Sequence, residues 1–151
     1  MRIYIPVTAN DVLRVVAGEV LTPSRGYAAT EELLESYSLT TDEEEIAEYV
    51  AMSLAAHASR VMQQSELIRR IVVAADVSNV RPVETADAGV VDFLDEVRLS
   101  DIASVHADNT AILATSVDSR RLDDASELLW WAVQEIDTFV ATLDEKDEKH
   151  G

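Results

Sequence analysis

The sequence predicts an α+β fold, with helices packed on one face of a small, mainly antiparallel sheet of three to four strands. Three observations support this fold class. A period-two apolar pattern at the amino terminus predicts a strand, helical apolar periods follow it, and further strand patterns precede a closing helix. Strands and helices that come in blocks, rather than in strict alternation, are typical of α+β domains.

The length favours a single domain. A chain of 151 residues falls within the usual size of one folded unit, and its apolar fraction of 48% is ordinary for a globular protein. We assign residues 1–143 to this α+β domain. The last eight residues, "DEKDEKHG", are highly charged, so residues 144–151 are predicted to be a disordered tail.

The first half of the chain predicts one strand and three helices. The alternation in "RIYIPVT" indicates a half-buried strand, and Pro6, which cannot donate a ladder hydrogen bond, indicates that this strand lies at a sheet edge or ends there. Thr8 and Asp11 form a capping box at the start of the first helix, and Thr30 caps a short second helix. Thr41 begins the longest helix, whose predicted inward stripe is Ile46, Val50, Leu54, His57 and Val61.

The second half predicts the remaining strands and the closing helix. The segment Ile68–Val77 is apolar on both faces, as in a central strand. A loop and a strand near residues 90–98 follow, and Ile102–Ala107 is predicted to be the last strand. A weak helix is expected over Thr110–Val117. The closing helix is predicted from about Asp123 to Leu143.

The charge and the composition exclude several functions. The net charge of −17 repels phosphate backbones, so neither nucleic acid nor an anionic membrane is an expected partner. Cysteine is absent, which excludes disulfides, thiol catalysis and cysteine-ligated zinc. The longest wholly apolar run, Leu128–Val133, is far too short to span a membrane, and the amino terminus lacks the apolar stretch of a signal peptide. We therefore expect a soluble, cytoplasmic protein.

Phosphate and cofactor chemistry also lacks its usual residues. Both lysines, Lys146 and Lys149, lie in the predicted tail, so the predicted domain has no lysine to bind a phosphate or form a Schiff base. The four glycines form neither a P-loop nor a dinucleotide-binding fingerprint. No cofactor is expected.

The two adjacent tryptophans in "ELLWWAVQE" are candidate interaction residues. Neighbouring residues on a helix point about 100° apart, so one core cannot easily accept both rings. Trp130 is predicted at the flank of the core stripe and Trp131 on the polar face, near Glu127 and Gln134. Trp131 is then either covered by another part of the chain or anchors a contact with a protein partner or a second copy.

A weaker candidate site consists of His106, Asp108 and Asp76. His106 and Asp108 would share one face of a strand, and Asp76 ends a strand that could lie alongside. A histidine with carboxylates is the minimum for a hydrolytic base or a divalent-metal site. A solvated strand end explains the same residues. His57 is interpreted as a core histidine that hydrogen-bonds to a buried group.

Five segments, "MRIYIP", "EYVAMSLAA", "VVAADV", "VHAD" and "ELLWWAVQE", together resemble a family of short actinobacterial proteins of unknown function. The resemblance spans nearly the whole chain and implies a cytoplasmic bacterial protein, without an activity, substrate or cofactor. In that family a second acid often follows the aspartate of the fourth segment, whereas Asn109 stands here.

Three functional hypotheses follow. The first is a noncatalytic protein-interaction or self-associating module. The second is a small hydrolase or metal-dependent enzyme that uses His106, Asp108 and Asp76. The third, an acidic DNA mimic, rests on the charge alone.

Overall fold

A computed structural model describes residues 1–83, 86–113 and 128–150, and of Ile112 and residues 144–150 it describes the backbone only. The strands are β1 (Arg2–Val7), β2 (Arg25–Tyr27), β3 (Leu67–Ile68), β4 (Ile71–Asp76), β5 (Val80–Pro82), β6 (Val90–Phe93), β7 (Ile102–Ala107), β8 (Ile112–Leu113) and β9 (Leu129–Ala132). The α-helices are α1 (Ala9–Val16), α2 (Glu31–Ser36), α3 (Glu44–Val61) and α4 (Ile136–His150). No helix in these residues is both long enough and apolar enough to cross a membrane.

The main sheet has seven strands in the order β5-β6-β2-β1-β4-β7-β9, and every neighbouring pair is antiparallel. Strands β3 and β8 form a separate two-stranded sheet. The α+β class is confirmed, but the predicted sheet of three to four strands is wrong. The strands that the sequence did not reveal, such as Arg25–Tyr27 and Val80–Pro82, are too short to display a period of two.

Helices cover both faces of the sheet, so the predicted packing on one face is also wrong. On one face, α1 and α4 bury Val12, Val15, Ile136 and Phe139 against one set of strand side chains. On the other face, α2 and α3 cover a second set that includes Val72. The cause is visible in β4, whose alternating residues are buried on both sides and therefore require a covering layer on each.

The long helix α3 is buried mainly through small residues, and the predicted stripe is only partly confirmed, because Val50 and Leu54 are half-buried and pack against the core. Ile46 and Val61 are exposed, whereas the buried side chains are Ala47, Ala51, Ser53, Ala55, Ala56 and Ser59. Small side chains let the helix axis approach the sheet closely. Ser59 shows this contact, because its Oγ donates to the Val7 carbonyl (2.8 Å) and accepts from the Ile71 amide (3.0 Å).

The predicted amino-terminal caps of α1 and α2 are confirmed, and the cap before α3 lies one residue earlier than the predicted helix start. Thr8 and Asp11 form the predicted capping box of α1, and the Thr30 hydroxyl caps α2. Before α3 a capping box joins Thr40 and Glu43 around a short 3-10 turn, so the cap lies one residue before the predicted helix start at Thr41. Capping chemistry is local, so the sequence reveals it well, but adjacent threonines leave a one-residue ambiguity.

Strand β1 lies in the middle of the sheet, between β2 and β4, so the edge position is wrong, whereas the end of β1 at Val7 agrees with the alternative that the strand ends near Pro6. Its pairing with β4 runs from Arg2 to Val7, but its pairing with β2 occurs only at Tyr4↔Tyr27. Pro6 therefore lies beyond the paired portion on the β2 side. A missing donor is tolerated where no ladder continues.

The predicted closing helix is partly wrong. Residues 129–132 form β9, residues 133–135 form a 3-10 turn, and the α-helix begins only at Ile136. The predicted start at Asp123 lies outside the described residues. Where a weak helix was predicted from Thr110, residues 112–113 form strand β8 instead. Residues 114–117 of that predicted helix lie outside the described residues. The domain end at residue 143 stays a prediction.

Candidate interaction site

The two tryptophans lie on β9, so they belong to a strand and not to the predicted helix. The register with β7 places Trp130 opposite His106 and Trp131 opposite Val105. Successive side chains of a strand point to opposite faces, about 180° apart instead of 100°. One ring therefore faces the layer of α1 and α4, and the other faces the layer of α3.

Trp131 is the ring that joins the core. It packs against the hydrophobic cluster below α4, and its ring centroid lies 4.8 Å from that of Phe139, with the planes tilted by 53°. This tilted geometry is favourable for two aromatic rings. The predicted position of Trp131 on a polar face is therefore wrong, and the part of the chain that covers it includes α4.

Trp130 is the exposed ring, with 64% of its surface accessible, and its neighbour Leu129 is 47% exposed. The prediction that Trp130 covers the flank of the core is wrong for the described residues. Two large apolar side chains that are exposed at one sheet edge, although on opposite faces of the strand, call for an explanation.

The residues around the tryptophans were also predicted to take part in an interface. Gln134 lies in the 3-10 turn after β9 and is exposed. Its neighbour Glu135 accepts a hydrogen bond from the Ala132 amide at 3.3 Å and so fixes the end of the strand. Glu127 lies outside the described residues. Gln134 is thus exposed directly after the edge strand.

The two edges of the seven-stranded sheet differ in character. Edge strand β5 carries Arg81 and Pro82, and a charge and a proline on an edge discourage pairing with another chain. Edge strand β9 has the sequence Leu-Trp-Trp-Ala, with neither a charge nor a proline. Within the described part of the chain, β9 has a strand neighbour on its β7 side alone.

His106 lies beside Trp130 on the face that α3 covers, and it is held by Ser104. The Ser104 Oγ and the His106 Nε2 are 2.9 Å apart. Burial, and secondarily the positive charge of Arg2, lowers the pKa of His106 from 6.5 to about 4. A neutral imidazole with so low a pKa is a weak general base at neutral pH.

This pKa predicts a loss of stability in acid that depends on His106. The unfolded chain takes up a proton near pH 6.5, but the folded chain does so only near pH 4, so stability falls as the pH drops through this window. We expect His106→Gln to remove up to about 3 kcal/mol of the loss between about pH 7 and pH 4. Urea unfolding of both proteins at several pH values measures it.

Other ionisable groups also contribute to the acid dependence of stability, so only the difference between the two proteins is informative. If the wild type and His106→Gln lose the same free energy of unfolding over this window, the depressed pKa of His106 is wrong.

Asp108 forms a buried ion pair directly after β7. Its carboxylate accepts from the Arg70 Nη2 at 2.6 Å, from the Arg70 Nε at 3.0 Å and from the Arg70 amide at 2.9 Å. The side chains of Arg70 and Asp108 are only 4% and 8% exposed. The carboxylate is therefore satisfied inside the fold.

Arg69, the neighbour of Arg70, is buried as well and connects three parts of the fold. Its Nε donates to the Asp108 carbonyl (2.7 Å), its Nη2 to the Asn109 carbonyl (3.2 Å) and its Nη1 to the Thr142 hydroxyl of α4 (2.9 Å). Its guanidinium also lies 4.9 Å from the centre of the Phe139 ring. Burial lowers the pKa of Arg69 from its ordinary value.

Asp76 lies at the far end of β4, in an ion pair with Arg2. Its carboxylate accepts from the Arg2 Nε at 2.7 Å and from Nη2 at 3.1 Å, and this hydrogen-bonded pairing lowers its pKa. His106 pairs with Val72, four residues before Asp76, which corresponds to about 13 Å along the strand. The structure does not bring Asp76 to His106.

The three residues of the second hypothesis thus have different neighbours: Ser104 for His106, Arg70 for Asp108 and Arg2 for Asp76. The described ranges contain no group of three or more His, Cys, Asp or Glu side chains that could hold a metal ion. His57, predicted to be a core histidine, is only half-buried, and its Nδ1 lies 3.1 Å from the Arg60 Nη2.

Sequence reasoning missed Arg69, Arg70 and Ser104. The first two gave a signal, because two arginines precede the apolar run Ile71–Ala75 in a chain with few basic residues. Cations at such a position require buried acceptors. Ser104 gave no comparable signal, since its contact with His106 depends on the strand register.

Residues 1–140 match a family described as a family of unknown function, DUF6912. No curated protein and no solved structure matches the chain. The match agrees with the predicted resemblance to a family without known function. The actinobacterial origin stays a prediction.

Proposed function

For a chain that belongs to the DUF6912 family, whose function is unknown, we propose a noncatalytic, self-associating interaction module that pairs its edge strand β9 with β9 of a second copy. The observation that carries this proposal is the exposed apolar edge, with Trp130 64% accessible. An exposed aromatic ring on a strand that has no second neighbour among the described residues forms a template for adding a strand.

A second copy fits this edge for two reasons. Antiparallel pairing of a strand with itself is two-fold symmetric, and a closed two-fold contact is the commonest form of self-association. Residues 128–134 carry no charge, although the chain as a whole carries −17. The contact therefore avoids placing like charges directly opposite each other, which would oppose association.

The alternation of side chains between the two faces of β9 restricts the register in which two copies of this strand can pair. A two-fold axis perpendicular to the sheet keeps the α3 face of both copies on the same side. Directly opposite residues must then have side chains on the same face. Trp130 accordingly lies opposite either its own symmetry mate or the Ala132 position. The first register pairs the two exposed rings, an arrangement that aromatic side chains favour.

The noncatalytic part of the proposal is supported by the ion pairs of the acidic candidates. The carboxylates of Asp76 and Asp108 are occupied by Arg2 and Arg70. The low pKa of His106, about 4, disfavours its use as a base. The −17 charge supports the proposal that the module binds neither nucleic acid nor an anionic membrane, and a cytoplasmic location is part of the same proposal.

Sedimentation of wild type and Trp130→Ser over a range of concentrations tests the proposal. We expect a concentration-dependent dimer for the wild type and a dissociation constant at least about 30-fold higher for Trp130→Ser, because an anchoring tryptophan typically contributes about 2–4 kcal/mol. Tyr37→Ser is the matched control, since Tyr37 is 45% exposed but belongs to the end of α2. This control should dimerise like the wild type.

A wild type that stays monomeric at every concentration contradicts self-association. A Trp130→Ser variant that dimerises as tightly as the wild type contradicts the use of β9. The first result would favour a different protein as the partner of β9, and the second would favour another surface for the dimer contact.

A further inference from the structure

A cleft with a volume of about 190 Å³ lies where β1 ends, away from β9 and from the residues of the proposed interface. Its apolar wall includes the buried side chains of Leu21 and Phe93. Its polar groups are Asp11 and Arg14 of α1 and the hydroxyl residues Thr22 and Ser24. Drug-sized pockets measure about 300–1,000 Å³, so this cleft suits a smaller molecule.

Arg14 has donor capacity that the described residues do not use. Its closest carboxylate contacts are to the Asp11 Oδ1 at 3.8 Å and to the Glu19 Oε2 at 3.7 Å. Both distances exceed those of a hydrogen bond, which are about 2.7–3.2 Å between heavy atoms. The guanidinium can therefore donate to a ligand carboxylate in a bidentate arrangement without first breaking a short contact.

Asp11 is fixed beside this guanidinium by its capping role. Its Oδ2 accepts from the Thr8 amide at 2.9 Å and from the Thr8 hydroxyl at 3.1 Å. The other oxygen, Oδ1, faces Arg14. The cleft thus presents a positive and a negative group 3.8 Å apart next to an apolar wall.

The charges select among small ligands. A simple anion would meet Arg14 but also Asp11 and the field of a chain with a net charge of −17. A simple cation would meet Asp11 but would leave Arg14 unused and repelled. A zwitterion that carries its carboxylate and ammonium on one carbon satisfies both groups. An apolar side chain can then rest on Leu21 and Phe93.

We propose that this cleft binds a free α-amino acid with an apolar side chain, with the carboxylate on Arg14 and the ammonium on Asp11. The hydroxyls of Thr22 and Ser24, which make no side-chain hydrogen bond within the described ranges, are available to the same ligand. This site is independent of self-association, because none of its residues belongs to β9.

Isothermal titration calorimetry with leucine, methionine and phenylalanine tests the site. We expect at least one of them to bind. The analogue of that amino acid without its ammonium, such as 4-methylpentanoate for leucine, should bind at least about tenfold more weakly, as should the analogue without its carboxylate. Arg14→Gln should also weaken binding at least about tenfold. Arg25→Gln is the control, because Arg25 is an exposed arginine 3.7 Å from Asp92 and outside the cleft.

Three results would overturn the proposal. The first is that none of the three amino acids gives a heat of binding at tens of millimolar. The second is that the analogue without its ammonium binds as tightly as the amino acid, and the third is that a folded Arg14→Gln variant binds the amino acid as tightly as the wild type. Circular dichroism checks the fold of each variant. Because Arg14 is exposed and has no short contact, the variant is expected to fold.

Discussion

Replacing Asp108 by asparagine is expected to lower the free energy of unfolding by about 3–5 kcal/mol. The Asp108 and Arg70 side chains are almost completely buried, and the carboxylate accepts from the Arg70 amide, Nε and Nη2. Asparagine keeps the shape but removes the charge that balances the buried guanidinium. Urea denaturation followed by circular dichroism measures the change.

Asp76→Asn is the matched control for this prediction. Asp76 also pairs with an arginine through two short hydrogen bonds, of 2.7 and 3.1 Å, but its side chain is 61% exposed. An exposed pair typically contributes about 0–1 kcal/mol, because water solvates the separated charges. If both substitutions cost the same free energy, burial does not determine the effect and the structural role of Asp108 is wrong.

The adjacent tryptophans are expected to respond very differently to substitution by alanine. Trp131→Ala should lower the free energy of unfolding by about 3 kcal/mol, because it removes a ring packed on Phe139 and leaves a cavity in the core below α4. Trp130→Ala should change the monomer by less than about 0.5 kcal/mol, since the ring is mostly in solvent.

This comparison requires monomeric protein, because association through Trp130 would add a concentration-dependent stabilisation. Urea unfolding is therefore measured at protein concentrations below the dissociation constant of the dimer. Equal destabilisation by both substitutions, or a larger effect of Trp130→Ala, would contradict the strand assignment of residues 129–132. A helix would place both rings less than half a turn apart and would not separate their effects so clearly.

Arg69 and Phe139 suggest how the two buried contacts are coupled. The Phe139 ring has Trp131 at 4.8 Å and the Arg69 guanidinium at 4.9 Å, and Arg69 in turn donates to the carbonyl of Asp108. The start of β4, the end of β7 and α4 therefore meet around one aromatic ring. Substitutions at Asp108 and Trp131 are close enough in this network that their effects need not be additive.

The sequence by itself determined the features that depend on neighbours along the chain. The capping box of Thr8 with Asp11, the Thr30 cap and the strand Ile102–Ala107 are local patterns, and all are present. The predicted strand Ile68–Val77 is present only as Ile71–Asp76, because Ile68 belongs to β3 of the smaller sheet. The α+β class followed from their order. These features were predictable because each depends on hydrogen bonds or side-chain periods within a few residues.

Only the tertiary structure decided which residues meet. Whether Trp130 or Trp131 enters the core depends on β9 pairing with β7, a choice that six apolar residues in a row do not reveal. The partners of Asp108 and Asp76 are arginines 38 and 74 positions away, and chain distance hides such pairs. Long-range pairing is selected by the burial of whole faces and by the satisfaction of buried charges. These energies arise only when the sheet is assembled and covered on both sides.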